Sequence, residues 1–201
     1  MKITPTITKE IDTNSKINFD VLGQGYELKE CVNGTVPIQN TIFNVLYDKI
    51  YLYFLFGVRD NEISPSRTTY NSKLYNEEVV EVFVSGENRM RYVELEVSPN
   101  NTQFCGLVRN SDSGKRKLKL IGKSIFTSGV QATDWGYNTI IKVRKRAIEG
   151  VLGINKLKIC YINAFRIDRP SKSEWELSAL NPTGVANFHI PSAFVELEIK
   201  E

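Results

Sequence analysis

Hydrophobic and polar positions alternate most cleanly in Val79–Asn101, which reads as two β-strands and a tight connection. Val79, Val80, Val82, Phe83 and Val84 give the first strand a β-branched, aromatic character. Ser85-Gly86-Glu87-Asn88 supplies turn chemistry. In the second strand Val93, Leu95 and Val97 alternate with Tyr92, Glu94 and Glu96, and Pro99-Asn100-Asn101 ends the run. Glu81 interrupts the pattern. It shares a strand face with Val79 and Phe83, in a segment apolar enough to be central in a sheet. Burying a bare carboxylate there costs several kcal/mol. Two readings stay open: an edge or solvent-facing glutamate, or a polar group on a concave sheet face that meets a ligand.

The same patterning extends along the chain. Residues 1–40 are polar and turn-rich, punctuated by Gly23, Gly25, Gly34 and Pro37, and predict short edge strands, one of them across Ile3–Ile7. Residues 41–59 predict a hairpin turning at Tyr47-Asp48-Lys49. Its second strand is apolar on both faces, with Ile50, Leu52, Phe54, Phe56 and Val58 on one and Tyr51, Tyr53 and Leu55 on the other. Residues 60–78 form a long polar loop carrying Tyr70 and Tyr75. Further strands are expected at Thr102–Val108, Arg116–Ile121, Asn138–Val143, Lys156–Ile167 and Ala193–Lys200, with a single helical turn within Ala147–Ile154. The basic runs 115–119 and 144–146 read as solvated faces. Many short strands with almost no helix predict an all-β fold. The expectation is an antiparallel β-sandwich of two packed sheets, jelly-roll or immunoglobulin-like, in a single domain over residues 1–201.

Composition narrows the function classes. The chain has 201 residues, 41% hydrophobic and 24% charged, enough for a sizeable core. A net charge of +3 argues for no nucleic-acid partner. No run approaches the roughly 18 apolar residues of a membrane span, so no membrane partner is expected. The first residues lack the apolar segment of a signal peptide. The chain as given therefore reads as cytoplasmic, or as extracellular if an export segment has been removed. Cys31, Cys105 and Cys160 show no CxxC spacing and read as buried free thiols. One histidine, His189, is present, with no metal-ligand cluster around it in sequence and no nucleophile motif, so it reads as structural. Glu81 and Glu94 on adjacent strands could imitate the carboxylate pair of a glycoside hydrolase. The absence of other catalytic motifs favours a protein that is not an enzyme.

Leu74-Tyr75-Asn76-Glu77-Glu78, then Val80-Glu81-Val82-Phe83, then Tyr92–Pro99, together with Asn163–Ile167 and Asn187–Phe194, resemble family 9 carbohydrate-binding modules over roughly residues 40–200. The resemblance implies a sandwich that binds a mono- or oligosaccharide on one sheet face without hydrolysing it. Members often clamp a terminal sugar between two tryptophans; by motif position Tyr75 and Phe188 stand there in this chain. Glu81 matches a glutamate that hydrogen-bonds sugar hydroxyls. Glu96 falls near where a member has arginine, and Arg166 could supply that charge from a neighbouring strand. Flat rings cover the apolar faces of a pyranose, and charged or amide groups satisfy its hydroxyl rim. Glu94, Trp135 and Trp175 complete the candidate ligand-binding set. No cofactor is expected, apart from a structural calcium that the family often carries, and no dense Asp/Asn loop foretells one. Such modules are commonly appended to hydrolases, so the resemblance also implies a place in a larger glycan-degrading system. The alternative is a sandwich of the same fold that serves as an interaction or structural module without sugar binding.

Overall fold

The structure, a computed structural model, describes residues 1–14, 25–111, 115–157, 159–170 and 175–199. Gly23, Lys158 and Lys200 of the expectations above lie outside them. Four two-residue strands come first: β1 (Lys2–Ile3), β2 (Thr6–Ile7), β3 (Tyr26–Glu27) and β4 (Lys29–Glu30). β5 (Thr41–Tyr47) and β6 (Tyr51–Arg59) make the expected hairpin. Its turn is fixed by Asp48, whose Oδ1 accepts from the backbone N–H groups of Ile50 and Tyr51, both at 2.6 Å. Next comes a meander of β7 (Val79–Ser85), β8 (Arg91–Val97), β9 (Gln103–Asn110) and β10 (Arg116–Leu120). Between β8 and β9 the chain reverses through Asn101, which takes a left-handed φ of 63°. β11 (Phe126–Thr133), β12 (Gly136–Arg144), helix α1 (Lys145–Leu152), β13 (Ile159–Asp168), β14 (Glu176–Ala179) and β15 (Val195–Glu198) complete the chain.

The larger sheet runs β1-β15-β13-β7-β8-β9-β10, extended by β14 on the later part of β13 and by β4 on β14. The smaller runs β11-β12-β6-β5-β2, with β3 also on β5. The sandwich of two packed sheets is as expected, and its long strands pair antiparallel. Two edge pairings are parallel, β1 with β15 and β2 with β5. The N-terminal seven residues thus add to one sheet and then to the other.

Strand parity builds the core. Val80, Val82, Val84, Val93, Leu95, Val97, Ile162 and Ala164 of the larger sheet meet Phe54, Phe56, Val58, Ile141 and Val143 of the smaller. Each fully buried Val, Leu or Phe contributes on the order of 1.5–3 kcal/mol, so this inter-sheet layer dominates the stability. The opposite parity of β7, β8, β9 and β13 is buried too. Val79, Phe83, Tyr92, Phe104 and Phe165 form a second apolar layer, capped by Leu74, Phe188 and Phe194. These strands are therefore buried on both faces, which explains why β7 reads as almost continuously apolar.

Four features depart from the sequence pattern. α1 is longer than one turn and starts at Lys145 instead of Ala147. Ile148 and Leu152, four apart, bury one stripe of it, and Gly153 ends it at φ 65°. β11 was not foreseen because Thr127, Ser128, Gly129 and Gln131 break its apolar alternation. It is an edge strand defined by its ladder to β12. β14 is short and was also not foreseen. Ile50, assigned to a core face, sits in the turn and is exposed.

Candidate functional site

The β7–β8 register sets three carboxylates side by side. Glu81 lies directly opposite Glu96, and Glu94 lies opposite Phe83, two positions along the same face. Phe165 flanks Glu81 on the β13 side, Phe104 flanks Glu96 on the β9 side, and Gly106 stands opposite Glu94. All three glutamates point away from the inter-sheet core, onto the outer face of the larger sheet, and all three are buried. This decides the open question about Glu81: it is a central-strand carboxylate on a covered sheet face.

What covers that face arrives from the far end of the chain. Phe188 stacks on Phe165 with ring centroids 4.3 Å apart and planes 15° from parallel. His189 stacks on Phe83 at 5.1 Å, and its Nδ1 is hydrogen-bonded to Tyr92 Oη at 2.7 Å. Burial, then the nearby charge of Arg116, lowers the His189 pKa to about 3, so the ring is neutral at physiological pH. His189 is thus held in place by its stack on Phe83 and its hydrogen bond with Tyr92.

Between these rings and the glutamate floor lies a pocket of 480 Å³. Tyr75, Glu81, Glu94, Phe188 and Trp175 line it, five of the seven residues singled out from the sequence. Tyr75 stands on a short 3₁₀ turn, Leu74–Asn76, immediately before β7. Trp175 is about half-exposed, with the Arg169 guanidinium 3.9 Å above the ring. Phe188 is only 7% exposed, because its stack on Phe165 uses one ring face. Arg116, Asn187 and His189 add polar groups to the wall. The sequence pattern hid Arg116 in a strand that reads as solvated; β10 is indeed exposed, and the Arg116 and Leu118 positions close one side of the pocket.

Arg166 and Trp135 are not brought into this pocket. Arg166 has the parity of Ile162 and Ala164, so its side chain enters the space between the sheets. There Nη2 donates to Asp60 at 2.6 Å and Nε to Glu78 at 3.0 Å, with Asp168 3.5 Å away. Tyr137 Oη donates to Glu78 at 2.9 Å. The Arg166 charge is thus committed to these carboxylates, as a fastening between sheets. Trp135 sits in the β11–β12 turn on the other sheet and lines a separate open hollow of 1020 Å³, with Tyr26, Ile42 and Arg59. That hollow is larger than the pocket, but it gathers no buried carboxylate.

Electrostatics single out the pocket floor. Burial, reinforced by the neighbouring carboxylates, raises Glu81 and Glu96 well above the usual carboxylate range. Glu94 rises to about 7, chiefly through burial, against the opposing charge of Arg116. Glu81 Oε1 has no hydrogen-bond partner, and Glu96 meets only the carboxyl of Glu94. Among the described residues two groups of three acids could gather round a metal ion, this one and Asp60-Glu78-Asp168. The second is already met by Arg166. Neither is the acidic loop that a structural calcium usually needs.

A family model described as carbohydrate family 9 binding domain-like matches residues 24–198. No curated protein matches the chain. Among solved structures, a family 9 carbohydrate-binding module from Caldicellulosiruptor kristjanssonii in complex with glucose superposes with a TM-score of 0.68 at 16% identity, covering 100% of this chain and 96% of that one. The complex of a family 9 module from that organism with cellotriose gives 0.69 at 15% identity, covering 100% and 94%. A Bacteroides uniformis protein named as a candidate carbohydrate-binding protein gives 0.73 at 12% identity, covering 99% of each chain. At these identities the structural matches speak for the fold, and the family model, spanning most of the sequence, speaks for descent: the chain belongs to the carbohydrate family 9 binding domain-like family.

Proposed function

We propose that the chain binds a mono- or oligosaccharide, without hydrolysing it, in the pocket on the outer face of the larger sheet. The observation that carries this reading is the convergence there of Tyr75, Trp175 and Phe188 with Glu81, Glu94, Arg116 and Asn187. Rings offer apolar platforms for the C–H faces of a sugar, and the polar groups match its hydroxyls. The solved modules of the family in complex with glucose and cellotriose support the same ligand class. A hydrolytic reading is weaker. Glycosidase carboxylates flank the scissile bond, with the substrate between them. Glu81 and Glu94 instead rise from adjacent strands of one floor, on the same side of the pocket.

One observation favours an interaction module without sugar binding: Phe188 is closed against Phe165, leaving little free ring. A single experiment separates the two. Glucose, cellotriose and an array of glycans are titrated into the purified chain and into its Tyr75→Ala and Trp175→Ala variants. Binding weakened about tenfold or more in the variants, with folding intact, supports the pocket. Binding unchanged in both removes it, and no binding by the parent leaves the interaction module.

A further inference from the structure

The glutamate floor asks for a positive charge that the chain does not supply. Glu81, Glu94 and Glu96 each bring a carboxylate oxygen within 4.8 Å of the others. Two oxygens bound to one calcium ion at about 2.3–2.6 Å each can stand up to about 5 Å apart. Independently of this clustering, Glu81 is 2% exposed and its Oε1 is without a hydrogen-bond partner. Glu96, 0% exposed, meets only the neighbouring carboxyl of Glu94. Buried ionised oxygens of this kind cost several kcal/mol unless a cation or a proton meets them. Access is available, since Glu81 and Glu94 face the 480 Å³ pocket.

The molecule contains its own control. Asp60, Glu78 and Asp168 form a group of the same span, and there Arg166 contributes the charge, with 2.6 and 3.0 Å contacts to the first two. Among the ion pairs of the described residues, none ends on Glu81, Glu94 or Glu96. Arg116 lies at the rim and acts on Glu94 through space. The nearby histidine is engaged with Tyr92.

We propose that Glu81, Glu94 and Glu96 hold a divalent cation of the calcium class at the floor of the pocket. An all-carboxylate donor set selects hard cations and offers nothing to the softer metals that favour imidazole or thiolate. Glu96 anchors the ion from beneath, and Glu81 and Glu94 hold it from the pocket side. The remaining positions of the ion face the pocket, where water completes them. That hydroxyls of a bound sugar take over these positions rests on the proposed function; the ion site itself does not.

The test is calorimetric titration of calcium chloride alone into the full chain, stripped with a chelator, at mildly alkaline pH. The expected result is one ion per chain and a rise in melting temperature with added calcium. In Glu96→Gln, and separately in Glu81→Gln, the affinity falls at least tenfold. Both amides remove repulsion from the floor, so these variants fold, as checked by circular dichroism. No calcium uptake by the parent at millimolar concentrations overturns the site. So does uptake that both variants leave unchanged, because the ion is then held elsewhere. Sugar binding by a parent that takes up no calcium overturns the ion site and spares the proposed function. Calcium uptake without any sugar binding upholds the ion site and removes the proposed function alone.

Discussion

Asp60, Glu78 and Asp168 lie between the two sheets; Glu81, Glu94 and Glu96 lie outside them, on the far face of the larger one. Both groups are buried and of similar span. Glu78 immediately precedes β7 and Glu81 lies within it, three positions on, and the two side chains go to opposite sides of the larger sheet. On the inner side a guanidinium stands among the acids and a tyrosine hydroxyl completes the set. On the outer side acids meet acids beneath a pocket. An acidic cluster with its own cation is a fastening, closed to anything else. One without a cation keeps its demand for charge available to whatever enters from solvent.

The sharpest way to break this comparison is to remove the internal cation. Arg166→Met leaves three carboxylates buried between the sheets and is expected to cost about 3–5 kcal/mol, read as a lower denaturant midpoint near neutral pH. A loss under about 1 kcal/mol would mean that the inner group is no better compensated than the outer one.

The outer group is probed by protons. A carboxyl whose folded pKa lies above its unfolded value keeps a proton in the native state that the unfolded chain has released. Stability is therefore lost as pH rises from the ordinary carboxylate range through the folded value, about 7 for Glu94. In chelator-treated buffer the parent should lose on the order of 2–3 kcal/mol over that window relative to the triple variant Glu81→Gln/Glu94→Gln/Glu96→Gln. Glu78, also raised to about 7 by burial, is common to both proteins, so the difference isolates the outer group. Parallel pH profiles of parent and variant would contradict it.

Each region also has a tryptophan. Trp175 stands over the outer group; Trp135 accepts the Asp60 backbone N–H at 3.0 Å and belongs to the inner end. Trp175→Ala is expected to weaken sugar binding about tenfold, roughly 1.4 kcal/mol, while changing stability by less than about 0.5 kcal/mol. Trp135→Ala should leave sugar affinity within about twofold. Equal losses in the two variants would place the ligand outside the pocket.

Parity is the part of this arrangement that can be read from the sequence. Alternation along Val79–Ser85 and Arg91–Val97 puts Glu81, Glu94 and Glu96 on one face, and strand neighbourhood follows from the short Ser85–Asn88 turn. The same rule, applied to Ile162, Ala164 and Arg166, would have sent Arg166 inward, away from the glutamates. Which sheet face is covered is not a local property. Phe188 and His189 lie more than 90 residues from β8, and only the packing of Phe188 on Phe165 and of His189 on Phe83 turns an outer sheet face into a pocket. Arg116 was hidden for the opposite reason: a charged, exposed edge strand looks the same in sequence whether or not it borders a cavity.

That edge strand sets the mechanics of the site. The glutamate floor belongs to β7 and β8, each hydrogen-bonded on both flanks within the larger sheet. The Arg116–Leu120 wall is bonded to β9 alone and all five of its residues are exposed. Depth is therefore held by stiff, doubly supported strands, and width by the element with the least restraint. A ligand of the wrong length along the floor normal meets an unyielding barrier, whereas a bulkier one need only push the border outward. Selection by this pocket should then be strict in one dimension and tolerant in the other.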